Sequence, residues 1–286
     1  MRVWLQAGLA VAALLAGCSS APPSTSTVAA RQTAAIEANR KGEAYVRHGE
    51  LDNAARSYGE ALRLSQSLED PAGIAANAIN LSIVRQRQGR FADARASLAL
   101  ITEEHFPPGR LAEAALRHAL LDMDELRFAS AQQWADKASN HCATRCAVAA
   151  AIHNVRAQLA LQSGQTEAAV AAARAAQEAS RSANDRAELA NALRLLGIAA
   201  LRSGDATAAR THLEQALVLD RELGASRKIA LDLLALGRAA ALSGDREAAK
   251  AYYARALAVA EADRDPPGAA EARALLDGVD KAATGK

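Results

Sequence analysis

Apolar and polar positions repeat with a period close to 40 residues along most of this chain. Alanines mark the period at intervals of 40, 37, 38, 40 and 40 residues, at Ala54, Ala94, Ala131, Ala169, Ala209 and Ala249. Further apolar residues lie four and seven positions after each alanine, which places all three on one face of a helix. A second run with helical periodicity precedes each of these segments. The pattern predicts about six pairs of helices between residues 33 and 280.

A short turn is expected between the two helices of each pair. Five residues before the marker alanine, five units carry a glycine and the third unit carries Leu126. The glycines are Gly49, Gly89, Gly164, Gly204 and Gly244. Glycine readily adopts the left-handed conformation that ends a helix, so these positions are predicted to be turns.

The C-terminal end of the repeats is marked by a proline break at residues 265–268. After this break, Ala269–Val279 is predicted to be one last helix, which covers the sixth pair as a solenoid requires. Residues 281–286 are predicted to be a disordered tail.

The composition agrees with an all-α fold. Half of the residues are apolar, mostly alanine and leucine, and 3% are aromatic. Alanine and leucine are strong helix formers. A core this poor in aromatic residues indicates thin layers of helix on helix.

The repeated residues resemble the tetratricopeptide repeat family. The family's pattern is matched in the first, fifth and sixth units by Gly42, Tyr45, Gly49, Ala54, Tyr58 and Ala61, by Leu196, Gly197, Gly204, Ala209, Leu213 and Ala216, and by Leu236, Gly237, Gly244, Ala249, Tyr253 and Ala256. The resemblance covers residues 33–280, is strong for units one, two, five and six, and is weak for units three and four. It implies a right-handed α-solenoid of about six tetratricopeptide-like helix pairs with a C-terminal capping helix.

The period of this repeat is longer than the usual one of the family. Relative to a 34-residue repeat, the extra residues amount to about 1.7 helical turns, which we expect to be shared between the two helices of a pair. Long-period members similar to kinesin light chain carry asparagines before the mid-helix Leu-Gly. Asn39, Asn80 and Asn154 lie near those positions, but Arg194 and Leu234 replace them in the last two units. An asparagine ladder along the whole groove is therefore not expected.

The N-terminus has the features of a bacterial export signal. Residues 1–17 combine Arg2, an apolar run too short to span a bilayer as a helix, and small residues at the end. The following "LAGC" resembles the lipobox of bacterial lipoproteins, which implies that Cys18 is acylated; an ordinary signal peptide is the alternative. Residues 18–32, rich in serine, threonine and proline, are predicted to be the acylated cysteine and a flexible tether.

The charge balance of the chain and the residue after Cys18 indicate where in the cell the protein is located. The full chain has 34 basic and 32 acidic residues, a balance that favours neither nucleic acid nor direct electrostatic binding to a membrane. Attachment is therefore expected through lipid. Ser19 stands where an inner-membrane retention signal typically has aspartate. By that resemblance we expect an outer-membrane lipoprotein facing the periplasm in a diderm bacterium, or otherwise a lipid anchor on the extracytoplasmic face.

Cys142 and Cys146 are the other cysteines of the chain, and we predict a disulfide between them. Two reduced cysteines with small apolar roles are one alternative. A metal site with His141 and His153 is another, but Cys146 and His153 would lie about 10 Å apart along one helix. No metal and no other cofactor is predicted.

Residues with catalytic potential do not form a recognisable motif. The acidic run Asp122–Glu125 is predicted to be a solvated helix end, because Asp122 and Asp124 diverge by about 200° on a helix. The remaining histidines are predicted to be surface or edge residues, namely His48, His105, His118 and His212. No catalytic residue, enzymatic activity or small-molecule substrate is predicted.

The resemblance implies that the first helix of each pair lines a concave groove. Among the residues projected onto it, the aliphatic ones are Ile79, Ile83, Leu116, Leu120 and Ile198. The polar ones, predicted to bind a partner, are Arg47, Arg87, Asn154, Gln158, Arg194, Arg202 and Arg238. Such arginines suit a peptide bearing carboxylates, and the alternative is a solvated face with partners on the same helix. Trp134 is predicted to be a core residue rather than a binding anchor.

These observations predict a membrane-anchored scaffold of the bacterial envelope that binds a protein or peptide in its groove. The alternative function is a regulatory or enzymatic envelope protein that uses the repeats as an adaptor. The repeats fill nearly all of the chain after the tether, which favours the scaffold.

Overall fold

The computed structural model describes residues 25–142 and 146–284, and in these residues the chain forms thirteen α-helices in consecutive pairs. The helices are α1 (Thr25–Arg47), α2 (Leu51–Ser67), α3 (Pro71–Arg87), α4 (Phe91–Leu98), α5 (Pro108–Asp124), α6 (Phe128–Cys142), α7 (Ala149–Gln162), α8 (Thr166–Ala183), α9 (Arg186–Arg202), α10 (Ala206–Glu222), α11 (Ser226–Leu242), α12 (Arg246–Ala262) and α13 (Pro266–Thr284). The predicted all-α solenoid of six helix pairs with a last capping helix is confirmed.

The helices are arranged in two layers. Each helix packs against the next one in the chain, and each odd-numbered helix also contacts the next odd-numbered helix. Over the described ranges, no two successive even-numbered helices are in contact. The odd-numbered helices are therefore closer together and form the inner, concave layer of the solenoid.

The long period arises from both helices of a pair. The helices α9, α10, α11 and α12 each have 17 residues, and three residues separate each one from the next. The extra length is thus shared between the two helices, as expected. The middle of the chain is less regular, because α4 has only 8 residues and α7 has 14.

The marker alanines lie where the helices approach most closely. All six, Ala54, Ala94, Ala131, Ala169, Ala209 and Ala249, are at most 1% exposed. In the fifth unit, a β-carbon added to Gly197 would lie 2.5 Å from Cγ of Leu213, so that only glycine allows this contact between α9 and α10. Small residues at fixed spacing are therefore packing points.

The predicted turn glycines adopt the left-handed conformation, with φ between 72° and 81°. Leu126 takes the same conformation in the third unit, with φ of 58°, and its side chain is 73% exposed. A leucine in this conformation is strained by its β-carbon, and exposure leaves it little packing in return.

Replacement of Leu126 by glycine is expected to raise the free energy of unfolding by about 0.5–1 kcal/mol, because the relief of strain exceeds the added freedom of the unfolded chain. Urea denaturation would measure the change. The matched control is Leu223→Gly, at an exposed leucine whose φ is −82°. This control should lose stability, and equal losses in both variants would contradict the assignment of strain to Leu126.

Two predicted boundaries require correction. The predicted tether reaches residue 32, but α1 begins at Thr25, and residues 27–33 are helical and exposed. The predicted tail begins at residue 281, but α13 continues to Thr284. Both segments contain alanines, whose helix propensity extends a helix beyond its packed part. The predicted signal peptide and Cys18 lie outside the described residues.

Candidate binding groove

A cavity of about 430 Å³ opens on the concave face, and α5, α7, α9, α11 and α13 all contribute to its lining. Its larger apolar side chains are Leu116, Leu120, Val155, Leu161, Leu195, Ile198, Leu231 and Leu234. Its polar side chains include Asn154, Gln158, Glu188, Asn191, Arg194, Arg202, Arg238 and Glu271. The groove thus combines an apolar surface with amides and charges of both signs.

Five of the seven predicted partner-binding residues meet in this cavity. These are Asn154, Gln158, Arg194, Arg202 and Arg238. The other two, Arg47 and Arg87, are exposed at the C-terminal ends of α1 and α3 and do not line it. The structure therefore places the candidate site in the second half of the solenoid.

Arg194 is buried rather than presented to a ligand, which corrects its predicted role. It is 8% exposed, and its Nε donates to Oδ1 of Asp232 at 2.6 Å while Nη2 donates to Asp220. Both aspartates are fully buried. Asp232 follows Arg194 by 38 residues, close to one repeat, so the two positions face each other across α9 and α11. That spacing is the sequence signal that the prediction missed.

The other two groove arginines are also engaged. Arg202 donates to the carbonyl of Leu161, near the end of α7. Arg238 donates to Oε1 of Glu271 at 2.5 Å, in a pair of half-exposed side chains. The expectation that these arginines are available to a peptide bearing carboxylates is therefore revised.

The buried cluster contains two carboxylates for one guanidinium. Burial raises the pKa of Asp232 to about 7; the Asp220 carboxylate acts in the same direction, and Arg194 opposes both. Oδ1 of Asp220 is buried and has no hydrogen-bond partner. A proton shared between the carboxylates would satisfy this oxygen and remove the uncompensated negative charge.

The stability of the protein is expected to depend on this proton. In the unfolded chain Asp232 loses it near pH 4, whereas in the folded chain Asp232 keeps it up to about pH 7. The contribution of Asp232 is thus complete below pH 4 and is lost as the pH rises towards 7. Asp232→Asn resembles the protonated form. Between pH 5 and pH 8, we therefore expect the free energy of unfolding to decrease less in this variant than in the wild type.

Urea denaturation at several pH values would measure this difference, with the exposed Asp263→Asn as control. Parallel curves for the wild type and Asp232→Asn would show that Asp232 is ionised throughout that range, contrary to this prediction.

A chain of hydrogen bonds runs along the floor of the groove. Nδ2 of Asn154 donates to Oε2 of Glu188 at 2.7 Å, and Nδ2 of Asn191 donates to the same oxygen at 3.1 Å. Nη1 of Arg194 donates to Oδ1 of Asn191 at 3.1 Å, which connects these hydrogen bonds to the buried aspartates. This hydrogen-bond network therefore links α7, α9 and α11. Sequence reasoning missed Glu188 and Asn191.

At the other end of the solenoid, an asparagine pair links the first two inner helices. Nδ2 of Asn39 donates to Oδ1 of Asn77 at 2.7 Å. The bonding partner is thus Asn77 and not Asn80, the residue singled out from the sequence.

Within the acidic run at the end of α5, Asp122 is buried rather than solvated, which corrects the prediction for this residue, whereas Asp124 is exposed as predicted. Asp122 is 2% exposed and accepts hydrogen bonds from Arg95 at 2.5 Å, from Arg127 and from Ser130. Asp124 accepts from Gln86 at 2.6 Å. Side chains from α4 and α6 therefore cover Asp122, which is a structural residue that joins α4, α5 and α6.

The structure contains a disulfide between Cys142 and Cys146, with a Cα–Cα distance of 5.2 Å. Residues 143–145 lie outside the described residues. A disulfide leaves no thiolate for a metal ion, so the alternative site with His141 and His153 does not form in this state. Within the described ranges, no group of three histidine, cysteine, aspartate or glutamate side chains is suitably placed for a metal.

His118 is half-buried, within the prediction of a surface or edge residue. Its ring stacks on Trp134 with 4.2 Å between centroids, and burial lowers the pKa of His118 to about 4. Trp134 packs against the core cluster of α5, α6 and α7 while Lys137 lies 4.5 Å from its ring centroid. Trp134 thus takes part in packing.

None of the helices in the described part of the chain has the length and apolar character needed to cross a bilayer.

Comparisons with known proteins agree with the architecture. A family model described as tetratricopeptide repeat matches residues 188–262, which include α10, α11 and α12. No curated protein is significantly similar in sequence. Among solved structures, BtubC (BKLC) from P. vanneervenii has 22% identity and a TM-score of 0.57, over 82% of this chain and 92% of that one.

Two further solved structures are similar in fold. A Rap protein, complexed with the competence and sporulation factor, has 17% identity and a TM-score of 0.63, over 89% of this chain and 71% of its own. The PilF protein of Pseudomonas aeruginosa has 19% identity and a TM-score of 0.52, over 73% of this chain and 93% of its own. Residues 188–262 thus match the tetratricopeptide repeat family, and the described residues as a whole form a tetratricopeptide-like solenoid.

Proposed function

We propose that this chain is a membrane-anchored scaffold of the bacterial envelope whose concave groove holds a segment of a partner protein. The observation that carries this proposal is the cavity on the inner layer, which is lined by five helices and in which apolar side chains from four of them lie beside amides and charges. Leu231 is 44% exposed within it. An apolar concave surface with a few polar groups is typical of sites that bind peptides and small molecules.

A protein partner is favoured over a small molecule by the shape of the site. The lining extends from α5 to α13 and is continuous with the open concave face, which suits an elongated segment. The similar Rap protein was solved in complex with the competence and sporulation factor, so a solenoid of this fold accommodates a bound partner.

Membrane attachment rests on the sequence. Cys18 follows an export signal and stands in a lipobox-like context, and the residue after it is Ser19. We propose acylation of Cys18 and an outer-membrane position facing the periplasm in a diderm bacterium. Residues 19–24 and the exposed start of α1 would then separate the repeats from the lipid.

The groove is tested by one substitution with a matched control. Leu231→Asp places a charge on the apolar lining and is expected to reduce recovery of crosslinked partners at least tenfold, about 1.4 kcal/mol of binding free energy. Val218→Asp changes a 53% exposed residue of the outer helix α10 and should leave recovery unchanged. Equal recovery by both variants, with both folded by circular dichroism, would contradict a role for the groove.

A further inference from the structure

Glu188 is a carboxylate in the groove without a cationic partner. Its Oε2 accepts hydrogen bonds from two neutral amides, those of Asn154 and Asn191. Among the ion pairs of the described residues, none includes Glu188. Glu188 is half-buried and lines the cavity, so its charge is directed to whatever occupies the groove.

The amide of Asn154 presents a second free acceptor beside this carboxylate. Asn154 is 6% exposed, and its Nδ2 donates to the carbonyl oxygen of Glu188 at 3.0 Å as well as to Oε2. These two bonds fix the orientation of the amide. Oδ1 of Asn154 is buried and has no donor within the described structure. Since a buried acceptor without a donor is costly, a hydrogen bond from an occupant of the groove would stabilise this oxygen.

Two of the three arginines of the groove are paired with carboxylates. Arg194 is held by two buried aspartates, Arg238 pairs with Glu271, and Arg202 donates to a carbonyl oxygen. Arg202 is exposed and keeps its positive charge, but it follows Glu188 by 14 residues on α9, about 21 Å along the helix. Beside Glu188 and Oδ1 of Asn154, the groups that lack a partner are acceptors, and the uncompensated charge there is negative. This is the opposite of the acidic ligand that the arginines suggest from the sequence.

We propose that the groove selects a protein segment that carries a lysine or arginine side chain among apolar residues. The cationic group would donate to Glu188 and to Oδ1 of Asn154, while its neighbours would contact leucines such as Leu231. Charge-assisted hydrogen bonds in partly buried sites are among the stronger polar contacts. This inference rests on the proposed function, since it names the class of segment that the same groove takes.

A phage-displayed library of random dodecapeptides provides a probe. Panning against the wild type is expected to enrich peptides that contain lysine or arginine between apolar residues. Glu188→Gln keeps the size of the side chain and removes its charge, and it should abolish this enrichment. Glu214→Gln, at an exposed glutamate of the outer helix α10, is the matched control and should preserve it.

Affinities of one enriched synthetic peptide would make the test quantitative. Glu188→Gln, or replacement of the peptide's lysine by norleucine, should each weaken binding about tenfold, and combining both changes should add little. Unchanged affinity with Glu188→Gln, or enrichment without basic residues, would overturn the inference.

Leu231→Asp separates this inference from the proposed function. If Leu231→Asp abolishes binding while Glu188→Gln and the norleucine peptide have no effect, the groove binds protein segments but does not select a basic side chain. If peptides bind Leu231→Asp as well as the wild type, or if no peptide is enriched, both the groove function and this inference fail.

Discussion

Arg194→Met is expected to lower the free energy of unfolding by about 3–5 kcal/mol, because it leaves two buried carboxylates without their counter-charge. Asp220 and Asp232 are fully buried, and each accepts a hydrogen bond from this guanidinium. Methionine fills much of the same volume, so the loss would come from electrostatics and hydrogen bonds rather than from a cavity. Urea denaturation at pH 7.5 would measure it.

Removal of the carboxylates provides the compensating control. Arg194→Met combined with Asp220→Asn and Asp232→Asn leaves no buried charge and is expected to recover about 2 kcal/mol. Arg210→Met, at an exposed position of α10, should change stability by less than about 0.5 kcal/mol. A loss from Arg194→Met as small as that from Arg210→Met would contradict the buried cluster.

Cys18→Ala is expected to move the protein completely from the membrane fraction to the soluble periplasmic fraction. The reason is that acyl chains on Cys18 are the proposed anchor, and the nearly balanced charge provides no strong electrostatic attraction. Cell fractionation followed by a high-salt wash would measure the distribution. Ser20→Ala, two residues away, should remain membrane-bound. A Cys18→Ala protein that stays in the washed membranes would disprove the lipid anchor.

The repeat architecture could be predicted from the sequence because its determinants are local and periodic. Ala209 is a packing point and Gly204 forms a left-handed turn, and residues in these two roles recur at similar spacing along the repeats. Helix ends were less predictable. Thr25 lies in a segment whose composition suits a tether, yet the helix propensity of the alanines after it extends α1 through that segment.

The polar residues of the groove could not be ranked from the sequence, because helical periodicity gives the face of a residue but not its partners. Arg194 is on the predicted inner face, but its burial depends on Asp232 of the next inner helix and Asp220 of the outer layer. Asp122 is likewise buried by Arg95 and Ser130, which belong to other helices. Such pairings depend on how deeply one layer packs into the next.

The proposed consequence for binding is a change in the sign of the ligand's charge near Glu188. Three arginines in the sequence suggest an acidic partner, but the structure gives each of them an acceptor. Glu188 and Oδ1 of Asn154 are left to interact with an occupant. Substitutions at Glu188 are therefore more informative about specificity than substitutions at Arg194, which would also change stability.

The central claim, that the inner layer is the surface that holds a partner, is tested most directly by photo-crosslinking in living cells. A benzophenone amino acid would replace Gln158, an exposed residue of the groove, or Glu214, an exposed residue of the outer layer. The account predicts a discrete crosslinked product from position 158, lost with Leu231→Asp, and none from position 214. A product from position 214 alone would contradict it.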